Sequence, residues 1–84
     1  MTEAQLQATV LKLLGTIAPD VELDSVNPEV SFRDQFDFDS MDFLNFAIAL
    51  HKEFKVEIPE VDYPRLATLK GCVGYLQDVL AGRS

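Results

Sequence analysis

The segment Ser40-Met41-Asp42-Phe43-Leu44-Asn45-Phe46-Ala47-Ile48-Ala49-Leu50-His51-Lys52-Glu53-Phe54 (residues 40–54) is written in helical period and sets the architecture. Placed at about 100° per residue, its apolar side chains fall into two stripes rather than one. Phe43, Phe46, Ala47, Leu50 and Phe54 share an arc of about 100°, the width of an ordinary core face. Met41, Leu44 and Ile48 make a second stripe centred about 130° away. Either the rest of the chain covers this stripe or it stands exposed as a docking strip, since grouped apolar surface often marks an interaction site.

Working outward, an N-terminal helix opens on the capping box Thr2-x-x-Gln5 and carries Leu6, Val10, Leu13, Leu14 and Ile17 at helical spacing. Gly15 and Pro19 bracket its end. Residues 18–39 show no sustained period and are rich in turn formers: Pro19, Asp20, Asp24, Ser25, Asn27 and Pro28. So long a loop needs its own anchors. Val21, Leu23, Val26, Val30, Phe32, Phe36 and Phe38 are expected to pin it to the core.

Beyond Phe54, Lys55-Val56-Glu57-Ile58-Pro59 is extended, because proline disfavours helix at the preceding residue. Residues 60–66 form a short helical piece in which Pro64 fits only the first turn or ends it. A last helix starts at the cap Thr68 and runs to about Leu80 before Gly82, with Leu69, Cys72, Val73, Leu76, Val79 and Leu80 on its apolar face. The fold class is all-α: a small irregular four-helix bundle, three main helices and one short, with a long first loop.

The 84 residues suit one small domain. A core of that size buries about 60% of the unfolded chain's surface, too thin for a large multi-part active site. One cysteine forms no internal disulfide, and one histidine with one cysteine builds no ordinary zinc site. Cys72 reads as a small buried hydrophobe and His51 as a solvated flank residue without a partner. The acids Asp34, Asp37, Asp39 and Asp42 suggest a calcium loop, but an EF-hand begun at Asp37 puts Met41 fifth, Asp42 sixth and Ile48 twelfth, and fails at all three. No metal is expected. The first residues carry no base before Lys12 and resemble no targeting segment, and no apolar run is long enough to span a membrane. The expectation is a cytoplasmic protein that is not an enzyme.

The net charge of −7 comes from 14 acidic and 7 basic residues. Glu3 and Lys12 cancel in residues 1–19. In residues 43–84, Glu53, Glu57, Glu60, Asp62 and Asp78 cancel Lys52, Lys55, Arg65, Lys70 and Arg83. All the excess lies in residues 20–42, where Asp20, Glu22, Asp24, Glu29, Asp34, Asp37, Asp39 and Asp42 face only Arg33. Such a pole repels phosphate backbones, which excludes nucleic acid there, and attracts basic protein surfaces. A solvated loop that aids solubility is the plainer reading of the same charges.

Ser40 sits where this pole meets the apolar helix. Its position suits an N-cap, whose oxygen takes up a free backbone amide. It also presents a hydroxyl at an exposed helix start, where a phosphate would meet the positive end of the helix dipole.

Phe36-Asp37-Phe38-Asp39-Ser40-Met41-Asp42 resembles the D-S-L/M motif of acyl carrier proteins. The likeness continues through Phe54, Glu57-Ile58-Pro59, Thr68-Leu69 and Tyr75, and upstream through Ser31-Phe32 and the first helix. It covers nearly the whole chain and implies one acyl-carrier-like domain over residues 1–84. It further implies that a phosphopantetheinyl transferase joins 4'-phosphopantetheine from coenzyme A to Ser40, with Asp39 supporting recognition by that transferase. The arm's thiol then shuttles acyl groups as thioesters between partner enzymes.

Met41, Asp42, Leu44 and Ile48 become docking positions for acyl-activating, synthase or transferase enzymes with basic patches, and the carrier itself is a monomer. The implied cargo-pocket wall is Phe32, Phe43, Ala47, Leu50, Ile58, Tyr63, Leu66 and Cys72. The positions of Phe43 and Tyr63 hold small side chains in well-known fatty acid carriers. Two rings there are expected to fill the pocket and keep medium-length chains out.

Asp37 replaces a glycine usual in the motif and is expected to supply the tolerance of left-handed geometry that the turn needs. Asn45, His51 and Lys52 stand where fatty acid carriers usually have acids, which points to a specialised pathway. D-S-M also occurs in carriers of activated amino acids, so an aminoacyl cargo is open. The alternative from another class is a small helical protein-interaction module without a prosthetic group.

Overall fold

The computed structural model describes residues 2–82, so Arg83, counted above among the bases, lies outside the described residues. Helix α1, Glu3–Ile17, opens on the expected box: the Gln5 amide donates to Thr2 Oγ1 at 3.1 Å and the Thr2 amide donates to Gln5 Oε1 at 2.9 Å. Leu6, Val10 and Leu14 are buried, while Leu13 and Ile17 lie half-buried against the core.

The first loop is less irregular than its composition suggests. It holds a single 3-10 turn, Leu23–Ser25, and a one-turn helix α2, Phe32–Gln35, whose Ser31 hydroxyl accepts from the Asp34 amide at 3.3 Å. Gln35 gathers the loop around itself. Its amide nitrogen donates to the carbonyls of Asn27 (2.9 Å) and Val30 (2.8 Å), and its oxygen accepts from the Asn27 amide (2.9 Å). The pinning expected of the apolar residues is present in part: Phe32 and Phe38 are buried and Val26 and Phe36 pack on the core, while Val21, Leu23 and Val30 stay outside that cluster. Two backbone bonds add to it, from Phe32 N–H to the Ala67 carbonyl (2.9 Å) and from Lys70 N–H to the Pro28 carbonyl (3.0 Å).

Helix α3, Ser40–Phe54, buries Phe46, Ala47 and Leu50. Its chain reverses through Lys55, held left-handed at φ 55° and ψ 44°. His51 is not the partnerless flank residue expected: its Nδ1 lies 2.6 Å from the Val56 carbonyl and ties the reversal to the helix. A 3-10 segment, Glu60–Leu66, follows, with Pro64 inside it rather than in its first turn. Proline has no N–H to donate there, while its carbonyl accepts from Ala67 N–H at 3.3 Å.

Helix α4, Leu69–Gly82, is capped by Thr68, whose hydroxyl accepts from the Gly71 amide at 2.9 Å. Gly71 is required by close approach, because a Cβ there would stand 2.7 Å from the Arg65 carbonyl oxygen. Helix α1 packs on both α3 and α4, and the 3-10 segment packs on α4. The result is three main helices with short helical pieces in the connections, around one core.

Candidate functional site

Residues 36–39 run extended into α3, so alternate side chains face opposite ways. Phe38 is buried and Phe36 half-buried, while Asp37 and Asp39 are exposed. The two phenylalanines turn inward onto Phe32, with ring centroids 5.8 Å (Phe36) and 5.7 Å (Phe38) from it. This anchoring holds the acids and Ser40 outward at the start of the helix. No left-handed residue is needed, since Lys55 is the only non-glycine with positive φ among the described residues. The tolerance expected of Asp37 is therefore unused.

The cap of α3 is Asp39, not Ser40. The Asp42 amide donates to Asp39 Oδ1 at 2.8 Å, and the Asp39 amide reaches back to Asp42 Oδ2 at 3.4 Å. Ser40 is the first helical residue, exposed, and its hydroxyl makes no hydrogen bond to any described residue. The Ser40 and Met41 amides likewise have no acceptor among the described residues. A helix start of this kind carries partial positive charge and unpaired N–H groups. With both carboxylates engaged on backbone amides, the exposed hydroxyl and open amides suit a tethered phosphodiester.

The second stripe of α3 stands uncovered: Met41, Leu44 and Ile48 are 63%, 39% and 41% exposed. Val61, at 84%, joins the exposed apolar residues and was not foreseen, because the 3-10 segment is too short to show a period. The acids of residues 20–42 are largely unneutralised. Among them and the described bases, the ion pair is Glu29 with Lys70 at 3.6 Å, between two well-exposed side chains.

The eight expected wall residues meet in one cluster. Phe32, Ala47, Leu50, Leu66 and Cys72 are buried, and Phe43, Ile58 and Tyr63 pack half-buried against them. Burial pushes the Cys72 thiol up to about 12, so it is no nucleophile. A further tie, invisible in the sequence, joins the 3-10 segment to α4. The Tyr75 hydroxyl donates to Asp62 Oδ2 at 2.9 Å, the Arg65 guanidinium lies 4.8 Å from the Tyr75 ring centre, and Arg65 pairs with Asp78 at 3.4 Å.

Two comparisons bear on this geometry. The family model described as "Phosphopantetheine attachment site" matches residues 4–76. An acyl carrier protein of Chlorobium phaeobacteroides (strain DSM 266 / SMG 266 / 2430) is 32% identical over 76 residues, spanning 90% of this chain and 96% of the relative.

Proposed function

The chain belongs to the acyl carrier family whose members bear covalent 4'-phosphopantetheine, and on that premise we propose that Ser40 is its attachment residue. A protein of this family is a carrier and not a catalyst. The observation that carries the assignment is the division of labour at the helix start, where Asp39 caps and leaves the Ser40 hydroxyl exposed. Ser40 Oγ supplies the ester oxygen, and the open amides of Ser40 and Met41 favour the phosphate charge. When bound, the group supplies a terminal thiol to which an acyl group is joined.

Around this residue we assign Asp39 to recognition by a phosphopantetheinyl transferase, and Met41, Asp42, Leu44 and Ile48 to docking of partner enzymes. An apolar strip beside an acidic pole suits partners with basic, partly apolar patches. The neutral or basic Asn45, His51 and Lys52 farther along α3 confine charge pairing to its first turn, which supports a specialised set of partners. A single core among the described residues supports one carrier domain, and we take it to act as a monomer and place its work in the cytoplasm. No described helix is long and apolar enough to cross a membrane.

Incubation with coenzyme A, magnesium and a broad-specificity transferase tests the assignment by intact mass. One phosphopantetheine is expected on the wild type and none on Ser40→Ala. A wild type left unmodified by several transferases would favour the interaction module instead.

A further inference from the structure

An acyl chain carried beside the bundle has a reason to leave water, because burying apolar surface is favourable. Whether it enters therefore depends on room. The rings of Phe43 and Tyr63 meet edge to face across the gap between α3 and the 3-10 segment, with centroids 5.9 Å apart and planes at 75°. Phe43 continues inward to Phe38 at 6.5 Å, and Phe38 to Phe46 at 6.2 Å and Phe32 at 5.7 Å. Aromatic pairs at these separations are in favourable contact, and interiors packed this way leave few voids. In the core against which the two rings pack, Leu50, Leu66 and Cys72 are fully buried and present no surface to solvent.

Resting on Ser40 as the attachment residue, we infer that the Phe43–Tyr63 pair closes the bundle to acyl chains and confines this carrier to short or polar acyl groups held outside the core. What the surface offers is an open cleft of about 470 Å³ beside Tyr63, lined by Ala47, Ile48 and Ile58 and by the polar groups of His51 and Glu57. A long alkyl chain lying in so open a cleft keeps one side in water, whereas a short or polar group loses nothing by remaining there.

The test loads the full chain from acetyl- or octanoyl-coenzyme A and compares the two forms by methyl and amide shifts and by thioester cleavage with hydroxylamine. The expected result is unchanged Leu50 and Leu66 methyl shifts and Cys72 amide shift between the two forms. Their cleavage rates should agree within about twofold, since neither thioester waits for the bundle to open. Octanoyl-specific shifts at these residues, with cleavage slowed about tenfold or more, overturn the inference while leaving Ser40 in place. Failure to load either form overturns the attachment reading and this one with it. Tyr63→Ala, or Tyr63→Leu where the alanine variant does not fold, should let octanoyl but not acetyl shift Leu50 and Leu66. A folded variant in which octanoyl still leaves both unmoved overturns the role of the ring pair.

Discussion

Asp39 combines a helix cap with a charge, and two substitutions separate them. Asp39→Ala removes the acceptor of the Asp42 amide and should cost about 1 kcal/mol, seen as a lower denaturation midpoint at unchanged slope. Asp39→Asn keeps an acceptor oxygen and should hold stability within a few tenths of a kcal/mol. If the transferase reads the carboxylate, the asparagine variant loses modification rate as fully as the alanine variant. A rate restored by asparagine would mean that Asp39 acts only by starting the helix. Ser40 depends on this neighbour, for an alanine at position 39 makes its hydroxyl the nearest substitute cap.

At the scale of elements, the 3-10 segment is held to α4 by the Tyr75–Asp62 bond and by Arg65 lying over the Tyr75 ring. Tyr75→Phe should cost about 1 kcal/mol, the net worth of an ordinary hydrogen bond plus part of the penalty of an unpaired carboxylate. It should also change the alkaline limb of the stability curve. Burial raises the Tyr75 phenol above its ordinary value of 10.0, and the hydrogen bond and charge of Asp62 raise it further. The folded state thus keeps a proton that the unfolded chain releases. The resulting stabilisation is full below pH 10 and is lost as pH rises through the folded value. Cys72 acts in the same direction between 9.0 and about 12, and it does so in both proteins. Denaturation of wild type and Tyr75→Phe across this range should therefore show their difference shrinking above pH 10. A constant difference would mean that the phenol titrates alike in the folded and unfolded chains.

At the scale of the molecule, the charge of −7 confined to residues 20–42 gives the surface a direction. Asp39→Asn with Asp42→Asn retains the acceptor oxygens of the capping box while removing two charges from that pole. Association with a basic partner enzyme should slow several-fold at low salt, and the gap should close as the Debye length falls toward about 10 Å near 0.1 M. Glu53→Gln, beyond the pole, should change little. A larger effect at Glu53 would mean that partners approach from the other end of α3.

Whatever is periodic or local is legible along the chain. The helices α1, α3 and α4 follow from apolar spacing and from the Thr2 and Thr68 caps, and the acidic pole and the D-S-M motif can be counted along the chain. The extended run expected over residues 55–59 fails at its first residue, because Lys55 is left-handed where the chain reverses and the clash with proline acts only on the residue next to it. Which stripe of α3 is covered is not legible along the chain, because Met41, Leu44 and Ile48 are as apolar as the residues that became core. Coverage depends on where distant segments arrive, and the first loop arrives on Phe32 and Phe38 instead. Position 40 carries a comparable ambiguity, since aspartate and serine are both good caps, and the folded backbone selects Asp39 and leaves the serine hydroxyl exposed. His51 with Val56, Tyr75 with Asp62, and the ring contacts linking Phe32, Phe38 and Phe43 to Tyr63 are pairings across turns and between elements. No periodicity encodes them, because each partner's position is set by a different part of the chain.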